Sequence, residues 1–221
     1  MISTGSGGTS TTQYGLPIDY RFAIPTSEDG FQHASTALRS HGFVVEVVDT
    51  VAGARIFVNS ILPHDQVIFT ATSETIRLSG LYEDINQSGK YQSLRQQLAK
   101  MDRKTQFREM VKLGAAPDVV VGSVHAVTED GRLVVASATG SQLGPYAAGA
   151  GRVVWVVGAQ KIVPDLETAM RRIETYSYPM EDIRSRQAIG NPSSISKILI
   201  INSEKMPGRA TVVLVKEAIG F

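Results

Sequence analysis

The sequence contains no cysteine among its 221 residues. Disulfides, thiolate nucleophiles and iron–sulfur clusters built from this chain alone are therefore excluded, because each of them needs cysteine sulfur. An excess of charge of one sign is also missing, since 22 basic and 21 acidic residues give a net charge of +1. A chain so balanced has no overall field that would attract nucleic acid or an anionic membrane surface. No nucleic-acid partner is predicted.

Long apolar runs are missing too. No run approaches the roughly 20 residues that a membrane-spanning helix needs, so no membrane span is predicted. The N-terminus "MISTGSGGTSTTQYGLPIDY" has neither the basic start nor the apolar core of a signal peptide. These features, with the lack of cysteine, fit a cytoplasmic protein.

The N-terminal segment differs in composition from the rest of the chain. Its first dozen residues are mostly Gly, Ser and Thr, which cannot bury enough apolar surface to fold alone. Apolar and aromatic side chains then recur at every second position from Tyr14 to Phe22, a pattern typical of an extended segment. We therefore predict a flexible or extended arm over residues 1–25 and one domain over residues 26–221. An arm laid on a partner subunit would make the protein a homo-oligomer.

Short apolar strands alternate with helical segments in the remainder of the chain. The patterns predict strands at 43–50, 66–71, 118–128, 132–137, 152–160, 197–204 and 210–220, and helices at 28–41, 51–62, 73–81 and 165–176. This alternation predicts an α/β fold with a mostly parallel sheet and helices on both faces. The last two strands have no helix between them, so we expect them to form an antiparallel C-terminal edge.

Ligands of open parallel sheets bind outside the carboxyl ends of the strands. Three loops qualify: "TATSET" after residue 69, "SATGSQLG" after residue 136 and "VGAQKIV" after residue 156. The middle loop carries Thr139, Gly140, Ser141 and Gln142 at a strand-to-helix turn, where backbone N–H groups can cradle an anion. An ordinary strand–helix junction is the alternative, because Ser, Thr and Gly are common there. The loop matches neither a P-loop nor the GxGxxG pattern.

Charged and hydroxyl side chains near these loops allow two interpretations each. Lys161 could neutralise an anionic ligand or be a solvated lysine. Ser73 could face the ligand or cap a helix. Glu129, in "TEDG", most simply belongs to a type I turn, but it could act as a base or nucleophile. Arg172, which follows Arg171 on the polar side of a predicted helix, and Arg184 are expected at the surface.

The histidines and the basic segment predict no further site. His125 shows no metal-ligand spacing with the other histidines, so no metal site is predicted. Residues 88–113 contain seven Lys or Arg side chains and few acids. A solvated helix face is favoured there over an anion-binding patch, since aromatic residues for nucleic-acid stacking are nearly absent.

The second half of the chain resembles a known family. The pattern "A-(I/V)-T-x-(D/E)-G" matches residues 126–131, a small-residue loop follows at 137–144, and "V-V-G-x-x-K-I-V-x-x-(L/I)-x-x-A" matches 156–169. Earlier, Ser73, Thr75 and Gly80 match "S-x-T-L-x-x-x-G-(L/I)". These motifs resemble the LUD domain of the lactate-utilisation proteins, in particular the LutC-like (YkgG, DUF162) branch. The resemblance covers roughly residues 30–205, and His125 departs from it where some relatives have Asn.

The resemblance implies a fold similar to the NagB/RpiA/CoA-transferase superfamily, whose ligands lie over strand ends on glycine-rich loops. It also implies a role in the oxidation of L-lactate to pyruvate alongside iron–sulfur partner proteins. This chain would then hold no intrinsic cofactor, and the clusters would lie on the partners.

Three functions remain open. The first two, metabolite binding and catalysis, follow from the resemblance, and in the third the chain is a non-catalytic scaffold. In the first, the protein binds a small anionic metabolite, of the lactate, phosphate-ester or acyl-CoA class, through the residues Ser73, Thr75, Ser137, Thr139, Gly140, Ser141, Gln142 and Lys161. In the second, it is a transferase or isomerase with Glu129 as the catalytic nucleophile or base. In the third, it is a scaffold that docks the partner through residues 88–113 or the N-terminal arm.

Overall fold

A computed structural model of the chain describes residues 3–4 and 8–221. Its centre is a sheet of six strands, which are β4 Val44–Val48, β5 Val67–Thr70, β6 Gln92–Ser93, β7 Val119–Gly122, β10 Arg152–Gly158 and β13 Ala210–Val215. The strands lie in the order β4-β13-β10-β7-β5-β6, and every neighbouring pair is parallel. The predicted α/β class with a parallel sheet is confirmed.

Eight α-helices connect or cover the strands of the described chain. They are α1 Glu28–Ser40, α2 Val51–Ile61, α3 Glu74–Leu78, α4 Leu81–Asn86, α5 Leu94–Ala99, α6 Phe107–Ala115, α7 Leu166–Arg172 and α8 Tyr178–Ile189. Residues of α2, α3 and α4 pack on one face of the sheet, and residues of α1 and α5 pack on the other. Helices therefore cover both faces, as predicted.

Strand β10 shows why the sheet needs two covers. Val153, Trp155 and Val157 belong to the core on one face, while Val154 and Val156 belong to the core on the other. Successive side chains of a strand point to opposite faces, so a continuous apolar run is stable only where both faces are buried.

A second sheet lies beside the first in the order β11-β8-β9-β12. Its strands are β8 Ala126–Thr128, β9 Leu133–Ser137, β11 Ile162–Val163 and β12 Lys197–Ile201. The pairs β8–β9 and β9–β12 are antiparallel, and β11–β8 is parallel. The predicted strand 118–128 is in fact two strands, β7 and β8, because the chain crosses between the sheets at residues 123–125.

The last two strands do not pair with each other, contrary to the expected antiparallel pairing. Strand β12 forms the antiparallel edge of the second sheet, whereas β13 lies inside the parallel sheet between β4 and β10. All six residues of β13 are buried, but β12 is partly exposed. Two-sided burial places β13, which is apolar except for Thr211, inside the parallel sheet.

The described part of the N-terminal arm contains three short strands and the 3₁₀ turn Tyr20–Ala23. The short strands β1 Ser3–Thr4, β2 Thr9–Thr11 and β3 Pro17–Asp19 pair antiparallel. Strand β3 contacts α8 and the π-helical turn Ile173–Ser177 of the same chain, with Ile18 buried. The part of the arm prediction that concerns residues 1–2 and 5–7 lies outside the described residues. Within the described residues, no helix has the length and apolar character needed to cross a membrane.

Candidate functional site

A cavity of about 400 Å³ opens at the carboxyl ends of the parallel strands. It is lined by residues that follow β5 (Thr72 and Ser73), β7 (residues 123–125), β9 (residues 138, 139, 141 and 142) and β10 (Lys161). Helix α8 and residues 192–195 form another wall. The three loops selected from the sequence therefore contribute to one cavity. The carboxyl-end rule for parallel sheets applies to the loops after β5 and β10, but not to the loop after β9, because β9 belongs to the second sheet and pairs antiparallel.

Lys161 belongs to the lining of this cavity, although only 1% of its surface is exposed. It lies in the short 3₁₀ turn Ala159–Lys161 that follows β10. Its Nζ donates to the Oγ1 of Thr75 at 2.9 Å, the Oγ of Ser123 at 3.0 Å and the carbonyl of Val124 at 3.1 Å. Within residues 8–221, no carboxylate lies within ion-pair distance of this Nζ.

The hydrogen-bond network around Lys161 matches a protonated amine. The hydroxyls of Ser123 and Thr75 donate to the carbonyls of Val156 and Ile219, so both can only accept from the lysine. Three acceptors then use all three N–H groups of an ammonium. Burial, and secondarily the positive charge of Arg172, lower the pKa of Lys161 well below its ordinary value of 10.5. The site therefore contains an ammonium that has lost its hydration by water, which is energetically unfavourable.

Arg172 is a second buried cation, contrary to the expectation that it lies on the surface. It is fully buried at the end of α7, where Nε donates to the carbonyl of Gln160 at 3.2 Å and Nη1 donates to Ser177 Oγ at 2.8 Å. Nη1 also donates to the carbonyl of His125, and the guanidinium stacks over the ring of Tyr176 at 5.2 Å. Burial lowers the pKa of Arg172 to about 10. Arg172 therefore fixes the loop that carries His125.

His125 is half-buried in the cavity wall. Its ring Nδ1 accepts a hydrogen bond from the backbone N–H of Ala136 at 3.1 Å. Burial, followed by the charges of Lys161 and Arg172, lowers the pKa of His125 to about 3. The imidazole is therefore neutral at physiological pH.

The small-residue loop after β9 is held mainly by its own side chains. Ser137 Oγ accepts from the N–H of Gly140 at 2.8 Å and donates to Oε1 of Gln142 at 3.0 Å. Gln142 Nε2 donates to the carbonyl of Ala136 at 3.2 Å. Gly140 has a φ of 87°, which is strained for any residue with a Cβ. Of the predicted loop residues, Ser137, Thr139, Ser141 and Gln142 line the cavity.

The two hydroxyl residues near α3 have different positions. Ser73 lines the cavity and also caps α3, since its Oγ accepts from the N–H of Ile76 at 3.4 Å. Thr75 is buried and contacts Lys161 instead of lining the cavity. Arg95, from the basic segment 88–113, holds the adjoining loop by donating to Thr70 and Thr72. It is therefore not a solvated residue.

Comparison with known proteins places this chain in a family. The family model described as "LUD domain" matches residues 31–215, a range that contains every residue of the cavity named so far. The chain belongs to the LUD domain family. None of the curated proteins matches it. A crystal structure of a DUF162 family protein from Deinococcus radiodurans is similar, with 12% identity and a TM-score of 0.47, over 86% of this chain and 99% of that chain.

Glu129 of this LUD domain lies away from the cavity lining. It follows β8, where its N–H donates to the carbonyl of Val163 at 2.9 Å and its carboxylate is 3.6 Å from Nδ1 of His33. The carboxylate also contacts Gly30 in the first turn of α1, an end of a helix where the macrodipole favours negative charge. Gly131 N–H donates to Thr128 O at 2.8 Å, which closes the turn predicted for "TEDG". The structure thus does not bring Glu129 together with Lys161.

The acidic side chains that line the cavity of this LUD domain are each paired with an arginine. Glu74 binds Arg77 at 2.7 Å, and Glu181 binds Arg184 at 2.6 Å. Arg184 lines the cavity and is half-buried, contrary to the expected surface position. Within the part of the chain that the structure describes, no group of three or more His, Asp or Glu residues is arranged to hold a metal ion.

Proposed function

We propose that this LUD-domain protein binds a small anionic metabolite in the cavity, as a component of L-lactate utilisation whose redox steps take place on iron–sulfur partner proteins. The observation that supports the proposal is the buried ammonium of Lys161, which contacts three neutral oxygens and, among residues 8–221, no carboxylate. The assignment to the lactate pathway comes from the family, which is associated with lactate utilisation.

An unpaired buried cation favours an anionic ligand for an energetic reason. Removing an ammonium from water is costly, and neutral acceptors recover only part of the lost solvation. A ligand anion close to Lys161 and Arg172 would supply the missing negative charge in a partly dehydrated site, where Coulombic attraction is stronger than in water. Burial costs solvation free energy and lowers the pKa of Lys161. An anion that binds nearby would offset part of this cost, and that part would contribute to its affinity.

The polar groups of the cavity suit an oxygen-rich ligand. Ser73, Ser137, Thr139 and Ser141 contribute hydroxyl groups to the same cavity lining as Lys161, and hydroxyls can donate to carboxylate or phosphate oxygen. The cavity volume of about 400 Å³ is within the range of sites for small molecules and cofactors. It accommodates lactate or pyruvate, and equally a phosphate ester or the acyl end of a coenzyme A thioester.

The partner proteins enter the proposal because the chain lacks cysteine. An oxidation of lactate removes two electrons, and this chain supplies no sulfur ligands for a cluster that could accept them. An adjacent reading frame rich in cysteine would support the assignment to the lactate pathway.

Calorimetric titration with L-lactate, pyruvate, inorganic phosphate and acetyl-coenzyme A tests the binding proposal. We expect at least one of these anions to bind the wild type, and Lys161→Met to weaken that binding by about 30-fold, a loss of about 2 kcal/mol. The matched control is Lys205→Met, which removes an exposed lysine and should leave the affinity unchanged.

Two results would contradict the proposal. One is the absence of binding by all four anions in the millimolar range. The other is equal affinity in wild type and Lys161→Met, with the variant shown to be folded by its circular dichroism. The variant should fold, because Ser123 and Thr75 keep their hydrogen bonds to backbone carbonyls.

A further inference from the structure

His125 occupies the crossing between the two sheets and is fixed through its backbone. Its N–H donates to the carbonyl of Val134 at 2.9 Å, and its own carbonyl accepts from Arg172. The adjoining residues Ser123 and Val124 both contact Lys161. The imidazole is therefore held on a rigid part of the cavity wall next to the buried ammonium.

The hydrogen bond to Nδ1 defines the tautomer of this ring. The donor is the backbone N–H of Ala136, so Nδ1 must be unprotonated and a neutral imidazole carries its proton on Nε2. Within residues 8–221, Nε2 has no hydrogen-bond partner, and it is not among the buried polar atoms that lack one. Because His125 lines the cavity, Nε2–H is a donor that remains available to a ligand.

Burial first, and then the charges around His125, lower the pKa of the ring and keep it neutral. Lys161 and Arg172 are the cations that oppose a second proton on the ring. The other charged side chains of the cavity are Glu74, Glu181 and Arg184. Both carboxylates are already paired with arginines, so neither offers His125 a compensating charge.

We propose that His125 is a ligand-binding residue that presents an uncharged Nε2–H donor to the anion held near Lys161. This inference rests on the proposed function and narrows the ligand class. The ring N–H donor, beside the positive charge of an ammonium whose own N–H groups are already used, selects a group that only accepts hydrogen bonds, such as carboxylate, carbonyl or phosphoryl oxygen. An ammonium group would face a donor and positive charge, while both side-chain carboxylates in the described lining are paired with arginines. The site should therefore bind pyruvate and reject alanine, which has an ammonium where pyruvate has its carbonyl.

Nitrogen-15 NMR of the histidine rings tests the tautomer and the contact in the full-length protein. We expect His125 to show a protonated Nε2 and a bare Nδ1 throughout pH 5–8, a range in which an ordinary histidine titrates. Saturating pyruvate should shift the Nε2 signal of His125, while His33 and His64, which lie outside the cavity lining, serve as internal references. Titration of His125 near the ordinary pKa would overturn the inference.

Substitutions of His125 can remove the Nε2–H donor and still keep the hydrogen bond that residue 125 accepts from the N–H of Ala136. In His125→Asn, the side-chain oxygen can still accept from Ala136 N–H, but the amide donor falls short of the position of Nε2. We expect pyruvate affinity to fall by about tenfold or more, the loss of one hydrogen bond to a charged group, with little change in the unfolding midpoint. His125→Gln, whose amide reaches further, should recover part of the affinity. His33→Asn is the matched control and should bind like wild type.

The outcomes distinguish this inference from the function on which it rests. If pyruvate, lactate, phosphate and acetyl-coenzyme A all fail to bind the wild type, the proposed function fails and the binding role of His125 fails with it. If an anion binds but leaves the His125 signal unmoved, or if alanine binds as well as pyruvate, the function stands and this inference is wrong.

Discussion

Lys161 and Glu129 both lie in sequence motifs that resemble the LUD family, yet their surroundings in the structure differ in almost every respect. Lys161 is buried, contacts only neutral oxygens and lines the cavity. The side chain of Glu129 is 30% exposed, lies beside His33 and the first turn of α1, and does not line the cavity. A charge that remains in water is compatible with many structural roles, whereas a buried charge without a counter-charge is energetically costly. The comparison favours Lys161 as the centre of the site.

Arg172→Met should have the largest effect, because Arg172 fixes the loops around Lys161. The substitution removes donors to the carbonyls of Gln160 and His125 and to Ser177. We expect a loss of about 3–5 kcal/mol in the free energy of unfolding, from buried acceptors left without partners. Urea unfolding measures it. Arg171→Met, which changes the adjacent exposed residue, should lose less than about 1 kcal/mol; similar losses in both variants would show that Arg172 is not a structural centre.

The pH dependence of stability should distinguish Lys161 from an ordinary lysine. Its pKa in the folded protein is well below 10.5, so the unfolded chain binds more protons between the two values. Stability of the wild type should therefore rise with pH in that interval, by at most about 1.4 kcal/mol per pH unit from this group. Lys161→Met should lack this rise when both proteins are unfolded in urea between pH 7 and pH 10. Parallel curves for the two proteins would contradict a lowered pKa.

Glu129→Gln should have the smallest effect. A partly exposed carboxylate near a helix N-terminus contributes about 0.3–1 kcal/mol, so a loss of that size in the free energy of unfolding is expected. Affinity for any anion that binds the cavity should stay within about twofold of wild type, well inside a 1.4 kcal/mol change. A complete loss of binding in this variant would show that Glu129 reaches the ligand and would reverse the comparison with Lys161.

Local signals in the sequence were sufficient for several elements. Asp165 and Ser73 precede apolar helical patterns, and each caps a helix; for Ser73, capping was one of the two interpretations that the sequence allowed. The largely apolar runs that became β10 and β13 require burial on two faces, which is enough to predict a parallel sheet. The carboxyl-end rule then selected three loops that meet at one cavity, although the middle loop follows β9 of the second sheet.

Other features depend on contacts between distant segments. Arg172 follows Arg171 on a helix whose pattern predicts a half-exposed surface, but its guanidinium is covered by segments that include Phe22, His125 and Gln160. The ring orientation of His125 depends on Ala136, in a strand that returns from the turn at Glu129. Sequence periodicity cannot predict contacts of this kind, because the segments that cover Arg172 and orient His125 lie elsewhere in the chain.

The sequence by itself determined the α/β class, the loops that line the cavity and the absence of sulfur ligands, since strand periodicity, helix capping and composition are local properties. Only the tertiary structure decided which charges lose contact with water. It buried Lys161 and Arg172 without carboxylates and left Glu129 beside α1. The physical reason is that desolvation depends on everything packed around a group, so the chemistry of a charged residue is decided by the fold and not by its neighbours in sequence.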